Sequence, residues 1–244
     1  MKRTYCLVAA FLLYTQSPCQ AGFLDDVFRE VISPAQQQVS IDNSTIVKGL
    51  KEALAAGTER AVAEVAKPDG YFGNQLIKIL LPNKVQRAAD VLGTLGYQPQ
   101  VDEVVLTMNR AAEKAAPKAA VFFGDAIRKM TVEDAEGILR GGDTAATEFF
   151  EKKTRSQLFN AFKPAVAKSM DQVGTARAYK EMLGKYDMTP LAAMAGIPSL
   201  DLDAYVTNKA LDGLFKMVAE EEKKIRTNPA ARTTDLLRKV FGSK

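Results

Sequence analysis

Apolar residues recur at helical spacing along nearly the whole of this 244-residue chain, and this periodicity restricts the folds open to it. Between Val101 and Ala115, apolar or small side chains lie three and four positions apart and form one helical face. Alternating patterns typical of half-buried strands are scarce. The sequence therefore predicts an all-α fold: a single compact multi-helix domain of roughly eight to ten helices without a significant sheet.

Proline, glycine and capping residues divide this pattern into separate helices. Pro117 is expected to break one long stretch, Thr131 to begin a helix with capping-box spacing to Asp134, and Asp143 to cap the longest helix. The predicted helices cover residues 23–33, 44–66, 84–95, 101–116, 117–130, 131–140, 143–173, 175–185 and 201–225, followed by a C-terminal helical arm that includes Leu236 to Phe241. Residues 70–82 form a loop or short helix, and residues 186–200 a loop.

The first 21 residues have the order of a secretory signal peptide. Lys2 and Arg3 precede an apolar run over residues 5–14, and Cys19 and Ala21 supply small residues before a cleavage site. The run is shorter than the roughly 18 residues that span a bilayer, so no membrane span is predicted. We therefore expect a cleaved signal peptide over residues 1–21, a single domain over 22–244, and a periplasmic or secreted location.

The chain contains no histidine, and both of its cysteines, Cys6 and Cys19, lie within the predicted signal peptide. Catalysis based on imidazole or thiolate is therefore closed to the mature protein, and typical zinc and copper sites lose their commonest ligands. The formal net charge of +4 arises from 33 basic and 29 acidic residues, too even a balance to indicate a nucleic-acid partner. We expect no cofactor or metal, and a function without catalysis is favoured.

Two short motifs supply candidate surface or pocket residues. Gly141-Gly142 precedes Asp143 and Thr144, where backbone N–H groups at a helix start can hold an anion; the alternative is a tight helix junction capped by Asp143. Asp201 and Asp203 offer two carboxylates, but the further oxygens of a calcium site are missing nearby, which favours helix capping. Arg232, in the C-terminal arm, completes the set.

Two charged stretches are predicted to be surface features. The run from Glu220 to Lys224 carries opposite charges three and four positions apart, which is typical of a solvated helix face. Lys152, Lys153 and Arg155 form a basic cluster next to Phe149 and Phe150. Such clusters can bind nucleic acid, but helical spacing predicts that the two aromatic rings face the core.

Four segments together resemble a bacterial family of secreted proteins, the domain of unknown function 4197. They are Met108 to Ala115, Gly141 to Thr147, Thr207 to Phe215, and Ala230 to Phe241. The resemblance implies a secreted helical protein of a Gram-negative bacterium. It supplies no activity, substrate or catalytic residue.

Three functional hypotheses remain open. The leading one is a non-catalytic binding or interaction module of the periplasm, with an unknown protein, cell-envelope or lipid partner. An alternative is a carboxylate- or Lys-dependent cell-wall hydrolase, which needs Asp143 or Asp201 to meet a distant Glu or Lys in a pocket. A hydrophobic-ligand carrier is the other alternative, and it predicts an apolar cavity of several hundred Å³ between helices.

Overall fold

The computed structural model describes residues 43–189 and 201–228, and within them the chain is built from helices. These are α1 (Asn43–Ala66), α2 (Asn83–Thr94), α3 (Gln98–Ala115), α4 (Ala119–Lys129), α5 (Val132–Arg140), α6 (Ala145–Val173), α7 (Thr175–Asp187) and α8 (Leu202–Thr227), with a 3-10 turn (Ala116–Lys118) before α4. No strand occurs in these ranges. The predicted all-α class is confirmed, and the described ranges contain eight α-helices.

Several helix ends follow the local chemistry that the sequence indicates. Gly96 and Gly174 adopt left-handed backbone angles, with φ of 85° and 80°, directly after α2 and α6. Pro117 lies in the 3-10 turn that separates α3 from α4. The capping box that begins α5 is confirmed, since Thr131 Oγ1 accepts the Asp134 N–H and Asp134 Oδ2 accepts the Thr131 N–H, both at 3.1 Å.

A continuous hydrophobic core joins the helices. The two longest, α6 and α8, pack together; α3 lies against α6 and α7, and α1 lies against α8 and α4. Phe123 stands at the centre, with its ring centroid 5.4 Å from that of Phe150 and 6.0 Å from that of Phe215. Of the two aromatic residues next to the basic cluster of α6, Phe150 is buried in the core, as predicted. Phe149 is half-buried and contacts the Phe150 ring.

Residues 67–82, between α1 and α2, contain turns but no helix or strand. Of the two possibilities predicted for residues 70–82, a loop or a short helix, the loop is confirmed. Tyr71 is fully buried there, and its hydroxyl donates to the Ala210 carbonyl of α8 at 2.7 Å. A Cβ at Gly213 would lie 2.7 Å from Tyr71 Cε1, so α8 needs glycine at this position to admit the ring. The predicted segments at 1–33, 190–200 and 229–244, including Arg232, lie outside the described residues.

Candidate functional site

An apolar groove runs between α1 and α4 along the surface of the bundle. Its volume is about 500 Å³. Most of its lining is aliphatic or small, and the residues are Ala55, Thr58, Glu59, Val62, Ala63, Ala66, Pro117, Ala120, Gly124 and Ile127. Buried Thr58, Val62 and Ile127 form the floor, whereas Ala55, Ala63 and Ala120 are exposed on the walls. The groove is therefore shallow and open, and its surface is made of small side chains.

The polar groups of this groove leave it without an obvious chemistry. Thr58 donates its hydroxyl to the Leu54 carbonyl at 2.7 Å, so that donor is satisfied within its own helix. Glu59 is exposed at the rim, and its carboxylate has no ion-pair partner among the described residues. The groove thus combines apolar contact area with one negative charge at its edge.

Asp143 and Thr144 precede α6, but the predicted cap is wrong. Thr144, not Asp143, occupies the capping position, and its hydroxyl bonds to Glu148 Oε1 at 2.9 Å instead of to the backbone. Gly141 ends α5 with an extended backbone, and a Cβ there would collide with the Cβ of Ala145. The glycine is required by this close approach of two helices.

The first turn of α6 is capped from a different helix. Glu222 of α8 accepts the N–H groups of Ala146 and Thr147, each at 2.9 Å, and also the Thr147 hydroxyl at 2.9 Å. Its carboxylate lies where the positive end of the α6 dipole stabilises negative charge. Arg226, one turn later on α8, donates to Glu222 Oε1 at 2.8 Å. An anion site at this helix start is therefore already filled by the chain itself.

This arrangement corrects the prediction that Glu220 to Lys224 is a solvated surface. Glu221 and Glu222 are 9 % and 7 % exposed. Glu221 pairs with Arg60 of α1 at 2.8 Å as well as with Lys224 at 2.7 Å. The charge spacing along α8 predicts the local pairs but gives no information on which side of the helix meets its neighbours.

Asp201 and Asp203 lie at the start of α8, where the capping interpretation applies. Asp201 accepts the Ala204 N–H at 2.9 Å and pairs with Lys163 at 2.6 Å. The hydrogen bond from Lys163 lowers the pKa of Asp201, while burial and then the nearby charges of Asp201 and Asp171 raise the pKa of Asp203. Asp201 remains more than half exposed, so its pair with Lys163 lies on the surface.

The candidate residues do not come together in one site. Asp143 precedes the first residue of α6, whereas Asp201 contacts Lys163 of that helix. Ala145 and Lys163 are eighteen positions apart, which corresponds to about 27 Å along the helix axis. The hydrolase hypothesis needs Asp143 or Asp201 to meet a distant Glu or Lys in a pocket; Asp201 does meet Lys163, 38 residues away along the chain, but this pair lies on the surface. Arg232 lies outside the described residues.

A second polar cluster holds the irregular segment against α3, and sequence reasoning did not single it out. Buried Glu113 accepts the N–H groups of Tyr71 and Phe72 through Oε1, at 3.1 and 3.2 Å, and pairs with Arg110 through Oε2 at 2.7 Å. Arg110 also reaches Asp69 at 2.7 Å. The sequence signal that could have indicated this cluster is the presence of polar residues within the apolar periodicity of α3. A carboxylate buried on that face needs hydrogen-bonding or charged partners.

Metal binding and membrane crossing were considered for residues 43–189 and 201–228, and neither has support there. Among those residues no group of three or more acidic, histidine or cysteine side chains is placed to hold a metal ion. No helix there is long and apolar enough to cross a membrane.

Comparison with protein families places residues 40–242 in the family described as "Protein of unknown function (DUF4197)". The match covers most of the chain, and the chain belongs to this family. Neither the curated proteins nor the solved structures contain a match. The matched range includes all four segments that carry the resemblance, among them those with Glu113, the α5–α6 junction and Gly213.

Proposed function

We propose that this family member is an exported, non-catalytic interaction module that docks an amphipathic helix of a cell-envelope protein in the α1–α4 groove. The observation that carries the proposal is the groove itself, which has a volume of about 500 Å³ and a mostly apolar lining between two helices. Contiguous exposed apolar surface of this kind is characteristic of recognition sites. The partner would be a protein of the periplasm, since residues 1–21 have the features of a secretory signal.

The shape and chemistry of the groove favour a helix. Small residues on both walls, such as Ala63, Ala120 and Gly124, let a third backbone approach closely. The stretch from Ala55 to Ala66 provides about 16 Å of length, or three turns of an incoming helix. An amphipathic helix with apolar residues at i, i+3, i+4 and i+7 matches this surface, and a basic residue on its flank would meet Glu59.

Binding without catalysis is favoured by the side chains that line the groove. Glu59 is the titratable residue among them, and Thr58 is held in a local hydrogen bond. A general acid or base needs a second group to position the reacting atoms, and a nucleophile needs a base. The same open surface can accommodate an acyl chain. The experiment must therefore distinguish binding of a protein helix from binding of a lipid.

The proposal is tested by site-specific photocrosslinking in a Gram-negative host that expresses the full chain. Benzoylphenylalanine is introduced at Ala63 or at Ala120 in the groove, and at Ala176, an exposed alanine of α7, as the matched control. Crosslinks from the two groove positions, absent from the control, should map by mass spectrometry to the apolar face of a helical segment in another protein.

A charged substitution provides a second measurement. Ala120→Asp should abolish the crosslink from position 63, whereas Ala176→Asp should leave it unchanged, because only the first places a carboxylate in the groove. Both variants change exposed alanines, and unchanged thermal unfolding would establish that the fold is retained. Crosslinks confined to phospholipid would replace the proposal with a lipid carrier, and equal crosslinking from all three positions would overturn both.

A further inference from the structure

Residues 78–81 lie between α3 and α8 outside any helix, directly after a turn that contains Ile77. Ile77, Ile79 and Leu81 are buried, while Lys78 between them is half-buried and Leu80 is 57 % exposed. This alternation is that of a strand with one face on a core. Leu76, just before the extended stretch, is 69 % exposed. The segment therefore alternates in burial as a half-buried strand does, and two leucine side chains lie in solvent.

One edge of this extended stretch is hydrogen-bonded by a side chain. Asn109 of α3 accepts the Ile79 N–H through Oδ1 and donates to the Ile79 carbonyl through Nδ2, both at 2.8 Å. A side-chain amide that bonds both backbone groups of one residue replaces a residue of an antiparallel neighbour strand. Asn109 is fully buried, so this edge is closed.

The opposite edge faces α8, where one of its backbone groups is already hydrogen-bonded and two others are not. Tyr205 of α8 donates its hydroxyl to the Leu80 carbonyl at 2.8 Å, which identifies the side to which this edge points. The Lys78 carbonyl and the Leu80 N–H, on the same edge of an extended chain, make no hydrogen bond within the described residues. These two groups flank Ile79, and together they can accept and donate to one residue of a parallel strand.

A groove with an excess of positive charge lies beside this edge. Its volume is about 310 Å³, and residues 76–79 form one wall while Lys209, Asp212, Gly213 and Lys216 of α8 form the other. The carboxylate of Asp212 is already engaged, by Arg155 at 2.5 Å and by Lys209 at 3.6 Å. Lys78 lies over the Phe72 ring, 4.0 Å from its centroid, and Lys216 pairs with the half-exposed Glu220 at 3.7 Å. The three lysines of the groove therefore still outnumber the two carboxylates beside them.

We propose that residues 77–81 bind an extended acidic peptide segment by strand addition, as a second interaction surface independent of the α1–α4 groove. The open Lys78 carbonyl and Leu80 N–H supply the backbone pairing, the exposed leucines contact apolar side chains, and the lysines attract carboxylates. Main-chain pairing gives affinity to such complexes, and alternate side chains give specificity. A peptide of alternating valine and glutamate meets these requirements.

The test uses three synthetic hexapeptides and fluorescence anisotropy with the purified chain. The first alternates valine and glutamate, the second alternates valine and lysine, and the third repeats the first with N-methylated valines that cannot donate a backbone hydrogen bond. We expect the first to bind and the other two to bind at least about tenfold more weakly, since one loses charge complementarity and the other strand pairing. Equal binding of all three, or none at millimolar concentration, would overturn the proposal.

Charge-reversing variants locate the site. Lys216→Glu and Lys78→Glu should each weaken the valine–glutamate peptide by about tenfold, and added salt should weaken the unmodified complex. Lys180→Glu, at an exposed lysine of α7, is the matched control and should have no effect. Ala120→Asp should also leave peptide binding unchanged. The proposal for the α1–α4 groove and the proposal for this site can therefore be refuted independently. Equal loss in the control would refute the location.

Discussion

Glu113 and Glu222 use the same arrangement in two regions of the molecule, for two different purposes. Each is buried on a long helix, with its side chain 5 % and 6 % exposed respectively, and each pairs with an arginine on its own helix. Each also accepts two consecutive backbone N–H groups. Those of Glu113 belong to an irregular segment, and those of Glu222 to the first turn of α6.

The two sites differ in how completely the arginine is enclosed. Arg226, beside Glu222, is 10 % exposed and also donates to the Ile138 carbonyl of α5 at 2.8 Å, so three helices meet at that pair. Arg110, beside Glu113, is 31 % exposed and shares its charge with the exposed Asp69. Loss of the carboxylate therefore leaves a buried cation at one site and a partly solvated, still paired cation at the other.

The largest expected effect is that of Glu222→Ala. The substitution leaves two buried N–H groups and the Thr147 hydroxyl without the acceptor that Glu222 supplies, and it removes the carboxylate that pairs with Arg226, so we expect a loss of about 3–5 kcal/mol in the free energy of unfolding. Urea denaturation followed by circular dichroism measures it. Glu222→Gln, which keeps one acceptor oxygen, should lose less. A loss below about 1 kcal/mol for the alanine variant would show that this junction is not stabilised by the carboxylate.

Glu113→Ala should cost less, about 2–3 kcal/mol, because Arg110 keeps Asp69 and water can reach part of the site. The damage should also be local, with faster amide hydrogen exchange at Tyr71 and Phe72 than in α6. Denaturation and exchange of the two alanine variants, measured side by side, give the comparison directly. If Glu113→Ala cost more than Glu222→Ala, enclosure of the arginine would not be what separates the sites.

The smallest effect concerns Glu221, whose partners are more exposed. Burial raises the pKa of Glu221, but hydrogen bonds from Lys224 and Arg60 outweigh it and lower the pKa below its usual value of 4.5. Because the folded pKa is below the unfolded one, this carboxylate stabilises the fold above about pH 4.5, and the contribution is lost as the pH falls through the lowered pKa.

Glu221→Gln should therefore reduce stability by about 1 kcal/mol at pH 7, and the two proteins should converge in stability as the pH falls through the lowered pKa of Glu221. Denaturation midpoints measured at several pH values between 3 and 7 test this. A constant difference across the range would show that the Glu221 charge is not responsible. Lys216→Gln, which touches only an exposed pair with Glu220 3.7 Å away, is the control for a general charge effect.

Turn and capping residues predicted the ends of the described helices well. The sequence did not predict which side chains form the polar contacts between helices. Gly174, Pro117 and Thr131 each act within a few residues, and their turns and caps are where the sequence placed them. Asp143 was expected to cap α6, but the acceptor is Glu222, 76 residues from Ala146 along the chain. The sequence assigned no residues to the α1–α4 groove.

The sequence by itself determined the helical class, most helix boundaries among the described residues and membership of the family, because periodicity and capping depend on neighbouring residues. The tertiary structure decided which polar groups were buried and which apolar surface stayed open. Glu222 and Glu220 stand two positions apart in the same charged run, yet the first is enclosed at a helix junction and the second is exposed enough to pair with Lys216 in solvent. A helix places those side chains on different faces, and only the packing of its neighbours fixes which face meets water.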